Sequence, residues 1–395
     1  MAPLSFTAAI SALLTVTLAG SPVWEGSVRL QEPHPVEHLA IDAAGFAIMA
    51  DNATAHAIAK RYVSIVPSNE NRLWPDRTIP YCFATDDAKD RLAAKLVAAT
   101  QLWQNAGLNR NVYKYKLVTE KTGDACTKHK NRSKILVINY SAEGKLETSL
   151  GMIAPYDGVE GPRSMLSDSE HVGMLNAVSN IAHELGHAWG LTHEHQNPHF
   201  WTPDIAGGRA SMVNGPFDTN VFVCTNLKDY DTMQAKLSAP GGGGLGGSLA
   251  MLTLCQSRAA ASHAGFSAAE YLPYLENRVK LEITKPNAGD DDVDWASIML
   301  YPTGAGGKGK ADPPGNGQAL DANDHRAPVL MRRNGQKIPI NLVPSARDVE
   351  GIRLMYDDPT FPTGNPLLPN DKTHSKFTSF INKFKKDKDC GGPST

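Results

Sequence analysis

The stretch His183-Glu184-Leu185-Gly186-His187-Ala188-Trp189-Gly190-Leu191-Thr192-His193-Glu194 sets three histidines, two glutamates and two glycines in one short frame. On a helix, histidines four residues apart lie about 40° apart around the axis and one turn along it, so the imidazoles of His183 and His187 can reach one cation. Glu184, one residue on, is turned too far round to be a convenient ligand. It is placed instead to take a proton from a water beside the metal. An unbroken helix would carry His193 roughly 15 Å along the axis and onto another face. The helix must therefore break, and Gly190 is the residue able to turn the chain through a left-handed conformation. His195 and His199 are rival third imidazoles, but only His193 has the spacing that a turn at Gly190 serves. Three nitrogens with one open position suit zinc.

On the amino-terminal side, Ile79-Pro80-Tyr81-Cys82-Phe83 reads as a strand. Asp86-Asp87 then cap a helix whose Leu92, Leu96, Ala99 and Trp103 recur at helical spacing, with a stop at Gly107. Tyr113–Val118, Lys134–Tyr140 and Ser149–Ala154 read as further strands, and a helix is expected from about Glu170 through His187. Strands and helices in this order predict an α+β domain. Beyond it, residues 200–290 read as an insertion whose centre, Pro240-Gly-Gly-Gly-Gly-Leu-Gly-Gly, is a linker or loop. Ser345 with Asp348 predicts a capped last helix, with Val349, Ile352 and Tyr356 on one face.

Two further motifs fail on inspection. Gly304-Ala-Gly-Gly-Lys-Gly-Lys-Ala311 nearly spells a phosphate loop, but Ala311 stands where a hydroxyl is needed and Pro313-Pro314 forbid the next helix. Asp290-Asp291-Asp292-Val293-Asp294 lacks the alternation of a calcium loop and reads as a solvated acidic turn.

The chain has 395 residues, 41% hydrophobic and 20% charged, with a formal net charge of −2. That balance offers no clustered positive surface for nucleic acid. Phe6–Gly20 is a short uncharged apolar run followed by Ser21-Pro22, the pattern of a signal peptide over residues 1–20. No other run is long enough to span a bilayer, so a secreted protein without a membrane anchor is expected. Residues 21–61 end in Lys60-Arg61 and form a candidate removable pro-segment, and residues 359–395 read as a flexible tail. Of the five cysteines, Cys224 and Cys255 are the preferred pair because both fall in one insertion. Sequons begin at Asn52, Asn131 and Asn139.

The histidine stretch resembles the metzincin metallopeptidases, and Glu194 directly after the third histidine resembles their astacin branch. Trp295-Ala-Ser297-Ile298-Met299-Leu300-Tyr301 is similar to the astacin Met-turn, and Leu73-Trp74-Pro75 and Leu354-Met355-Tyr356 resemble the ends of such a domain. The resemblance covers about residues 73–357, within a proposed domain of residues 62–358. It implies a twisted, mostly parallel sheet with the active-site helix in an N-terminal subdomain, an irregular C-terminal subdomain, and Zn2+ in the cleft between. It implies a zinc endopeptidase acting on protein or peptide substrates, with His183, His187 and His193 as ligands, Glu184 as base, Met299 as the floor and Tyr301 as oxyanion donor. It also points to Asp51 as a blocking carboxylate in the pro-segment. The chain departs from the family at Gln196-Asn197-Pro198-His199-Phe200, which lacks the charged residues that normally brace the site, and in the long insertion.

Overall fold

The computed structural model describes residues 63–65, 71–155, 159–206, 215–239, 247–273, 279–281, 288–311 and 320–357. The expected signal peptide, pro-segment and tail, with Asp51, Asn52, Cys390 and the glycine run 240–246, lie outside the described residues.

Nine short strands and eight helices are described. Two strands, β1 (Val63–Ile65) and β2 (Asn71–Arg72), precede β3 (Thr78–Phe83), the strand expected near Ile79. Helix α1 (Asp86–Asn105) then buries the expected stripe of Leu92, Leu96, Ala99 and Trp103, together with Ala88. Its cap is Thr85 rather than Asp86, since the Thr85 hydroxyl accepts from Ala88 N at 3.1 Å. Asp86 and Asp87 sit in the first turn, where their charge favours the helix dipole. The chain leaves through Gly107 at φ +112°.

Strand β4 (Lys114–Leu117), one-turn helix α2 (Asp124–Thr127), β5 (Leu136–Tyr140), β6 (Glu147–Thr148), β7 (Met152–Ile153) and β8 (Arg163–Leu166) follow. The main sheet runs in the order β4-β3-β5-β8-β6, with β6 antiparallel at one edge and the other neighbours parallel. The strand expected at Ser149–Ala154 is divided. Its start leaves the sheet at Gly151 (φ +64°), whose amide donates to His187 O at 2.9 Å. Met152–Ile153 pairs with β2 instead. The edge beside the histidine helix is therefore β6.

That helix, α3 (Ala177–Trp189), starts seven residues later than expected. The preceding turn holds Gly173 and Leu175 at positive φ and is tied down by Asn180, which accepts from Met174 N (2.7 Å) and donates to Val172 O (3.1 Å). Asn176 caps the helix by accepting from Ser179 N at 2.9 Å. Three indoles then fix α3: Trp103 donates to Ala182 O at 2.9 Å, Trp74 to Ala188 O at 2.6 Å, and Trp189 to the Tyr115 hydroxyl at 2.6 Å. A core of α1, α3 and the sheet buries these rings with Met299 and Tyr356.

Within the insertion come α4 (Pro203–Ala206), α5 (Tyr230–Ser238), α6 (Gly247–Gln256) and α7 (Arg258–Ala264), then β9 (Val279–Leu281), which pairs with β1. A second apolar cluster, including Trp201, Phe217, Phe266, Tyr271 and Tyr301, packs this region. Cys224–Cys255 forms the expected disulfide, and Cys82–Cys126 a second that ties β3 to α2. The glycine-rich run at Gly304 is a loop pressed against Asp324 and Ala327, not a phosphate cradle. The acidic run is only half solvated: Asp292 and Asp294 are buried, and Asp292 accepts from Gly289 N at 2.9 Å. Helix α8 (Ala346–Asp357) closes the fold, with Ser345 and Asp348 capping reciprocally at 3.0 and 2.8 Å. Of the sequons, Asn131 is exposed, whereas the Asn139 amide donates within the sheet to Val137 O and Ser164 O.

Candidate metal centre

Residue Gly190 ends α3 at φ +109°, its amide turned back to Gly186 O and His187 O. This is the break that brings His193 round. One potential ligand atom from each of His183, His187 and His193 lies within 4.8 Å of the other two, and all three residues are buried. His195 is not part of this group. Its ring stacks on His193 at 5.3 Å, and its Nε2 meets Glu270 O at 2.8 Å.

The other nitrogen of each ring is fixed by an acceptor. His183 Nδ1 meets Ile298 O at 2.7 Å, His187 Nδ1 meets Leu191 O at 2.8 Å, and His193 Nδ1 meets Gln196 Oε1 at 2.8 Å. A carbonyl oxygen only accepts, so each Nδ1 carries the proton. The Gln196 amide is oriented by its own donations to Ala269 O (3.0 Å) and Leu272 O (3.3 Å), which leave its oxygen for His193. With Nδ1 so occupied, a neutral ring can offer only its Nε2 to a metal. The Nε2 atoms of His187 and His193 lie 3.1 Å apart. Two lone pairs that close repel unless something positive lies between them. Tetrahedral zinc with bonds of about 2.0–2.1 Å spaces its nitrogens by about 3.3–3.4 Å. The donor set therefore fits a zinc ion.

Residue Glu184 lies on α3 beside His183 and is 1% exposed. Beneath the helix, Met299 packs against Gly186 so closely that any Cβ there would strike its sulfur. The Tyr301 ring lies 4.3 Å from that of His193 and 5.9 Å from that of His183, and Tyr271 packs on it at 5.2 Å. None of the three histidines, Glu184 or Tyr301 is more than 2% exposed.

A carboxylate layer holds the turn that supplies Ile298. Glu194 N donates to Met299 O at 3.0 Å, and Glu194 Oε1 accepts from Asp294 N at 3.0 Å. Burial pushes the Glu194 carboxyl well above its ordinary range. Asp348 accepts from the Ser297 hydroxyl (2.6 Å), Ile298 N (2.9 Å) and Ser345 N (2.8 Å). Burial nonetheless pushes its carboxyl up to about 6 against those hydrogen bonds. The structure brings His183, His187 and His193 together, as their spacing led one to expect, and sets Glu184, Met299 and Tyr301 around them. The sequence reading missed Asp348 as a support, although the capping pattern had marked that residue, and it gave Gln196 no role.

No family model and no curated protein matches the chain. Among solved structures, High choriolytic enzyme 1, a hatching enzyme zinc-protease from Oryzias latipes (medaka fish), is similar at a TM-score of 0.33 and 13% identity, over 77% of this chain and 98% of that one. At that TM-score the likeness establishes neither the fold nor the activity.

Proposed function

We propose that the chain is a secreted zinc-dependent endopeptidase of zincin-like fold, its metal held by the Nε2 atoms of His183, His187 and His193. One observation carries the reading: three buried imidazoles converge with every Nδ1 committed to a carbonyl oxygen. A zinc ion on that set would polarise the scissile carbonyl and make a neighbouring water acidic. Glu184, one residue along α3 from His183, accepts the proton of the attacking water and returns it to the leaving amine. Tyr301, its ring tilted against that of His193, donates a hydrogen bond to the oxyanion. An extended peptide would lie along the sheet edge beside α3, the side of β6 and Ser149–Ala154, where main-chain pairing gives affinity with little sequence preference. The two disulfides and the amino-terminal apolar run support export.

The enclosure of the site favours a second reading, a protein that holds zinc without catalysis. One experiment separates them. Purified protein is incubated with a denatured protein mixture, with and without a zinc chelator, and the new termini are mapped. Chelator-sensitive cutting is the expected result. Stoichiometric zinc with no cutting would refute the peptidase.

A further inference from the structure

The brace that the resemblance leads one to expect after His193 is missing from the sequence, and a long insertion is present. The structure connects the two facts. Gln196 spans from the metal centre to the insertion: its oxygen accepts from His193 Nδ1 at 2.8 Å, and its nitrogen donates to Ala269 O and Leu272 O. Those carbonyls belong to the 3-10 turn Ser267–Glu270 and the residues just after it, and Gln196 is fully buried between the two parts. The adjacent His195 makes a parallel link, with Nε2 on Glu270 O, and Trp201 donates to His195 O at 2.6 Å. The turn is anchored from its far side. Asp229, just before α5, accepts from both Ser267 N (2.9 Å) and the Ser267 hydroxyl (2.6 Å). Asp229 lies between the two cysteines of the Cys224–Cys255 disulfide.

We infer that the insertion is a working part of the metal centre: its turn at residues 267–272 clamps Gln196, and Gln196 sets the tautomer and aim of His193. Gln196 is a positioning residue. The physical basis is that a ligand histidine binds well only when its second nitrogen has an acceptor that fixes the ring, and losing such a partner typically lowers metal affinity about 10–100-fold. A glutamine alone is a poor brace, because a free amide rotates. Two carbonyl acceptors from the insertion hold it in the one orientation that turns its oxygen to His193. Coupling of this kind is reciprocal, so metal must tighten the turn by the factor by which the turn tightens metal.

The inference rests on the metal-site reading, and the test separates the two. Zinc affinity of the full chain is measured by competition with a chromophoric chelator for the wild type, Gln196→Met, Asp229→Asn and the double variant. Methionine keeps the length of glutamine and removes the acceptor. Gln196→Met is expected to bind zinc about 10–100-fold more weakly. Asp229→Asn, remote from the ligands, is expected to weaken zinc by a smaller factor in the wild-type background and by clearly less in the Gln196→Met background, since the main path it acts through is already cut. In parallel, hydrogen exchange at the amides of Ala269, Tyr271 and Leu272 is followed in the wild type with and without zinc. Zinc is expected to slow it about tenfold or more, and this readout stands even if the substituted chains fold poorly. A wild type that binds no zinc overturns the metal reading and this inference with it. A wild type that binds zinc, with equal affinity in Gln196→Met or with unchanged exchange at the turn, overturns the clamp alone.

Discussion

Substituting Asp348 by asparagine should change how stability depends on pH by an amount that can be worked out. The carboxyl is buried against the Met299 turn, with three donors around it. Its folded pKa of about 6 stands against an ordinary 3.8. That is about two units at 1.36 kcal/mol each, so holding Asp348 ionised at neutral pH costs about 3 kcal/mol. The sign follows from which state holds the proton more tightly, here the folded one. Its contribution is full below about pH 3.8 and is lost as pH rises through about 6. The substituted asparagine has no charge to desolvate. Its oxygen can take both backbone donors, and its NH2 can donate to Ser297 Oγ, at the expense of the hydroxyl's own acceptor, about 0.5–1.5 kcal/mol. Urea unfolding of both proteins, stripped of metal so that the histidines titrate alike, is measured from about pH 4 to pH 8. Asp348→Asn should gain about 3 kcal/mol on the wild type across that range. Parallel curves would refute the argument, and so would a gain confined to the acid end.

Other substitutions probe other parts. His187→Ala should lose most of the bound zinc on metal analysis, and full retention would remove it from the ligand set. Glu184→Gln should keep the metal yet lower peptide turnover at least about a hundredfold, as loss of the proton acceptor requires. Gly186→Ala should destabilise by about 1–3 kcal/mol in chemical unfolding, because the new methyl meets Met299 from the turn below. Thr85→Ala should cost about 1 kcal/mol by removing the cap of α1. Protein begun at Ser21 with Arg61→Ala should be less active on a protein substrate than protein begun at Tyr62. Equal activity would end the proposal that residues 21–61 restrain the enzyme.

Local pattern was enough for several features. The stripe Leu92, Leu96, Ala99 and Trp103 is a helical period that only one face of α1 could bury, and it was legible because periodicity is a property of neighbours in sequence. The same holds for the left-handed stop at Gly190, which made His193 the third imidazole, and for the capping pair Ser345 and Asp348. The start of α3 was not legible. Asn180 reaches back from inside the helix to hold residues 172 and 174 out of it, a contact that helical spacing does not encode. Nor was the division of residues 149–154, where Gly151 turns the chain toward His187 and away from the sheet.

By itself the sequence determined which nitrogens could converge, which carboxylate stands beside them and where the helix must break, because each of these follows from spacing along one element. Only the tertiary structure decided what faces the back of each ring: Ile298 O behind His183, Leu191 O behind His187, and Gln196 behind His193. Ile298 comes from a turn held by Asp348, and Gln196 is held by carbonyls more than seventy residues away. A hydrogen bond between distant segments depends on where two separately folded pieces come to rest, and no local period or spacing records that.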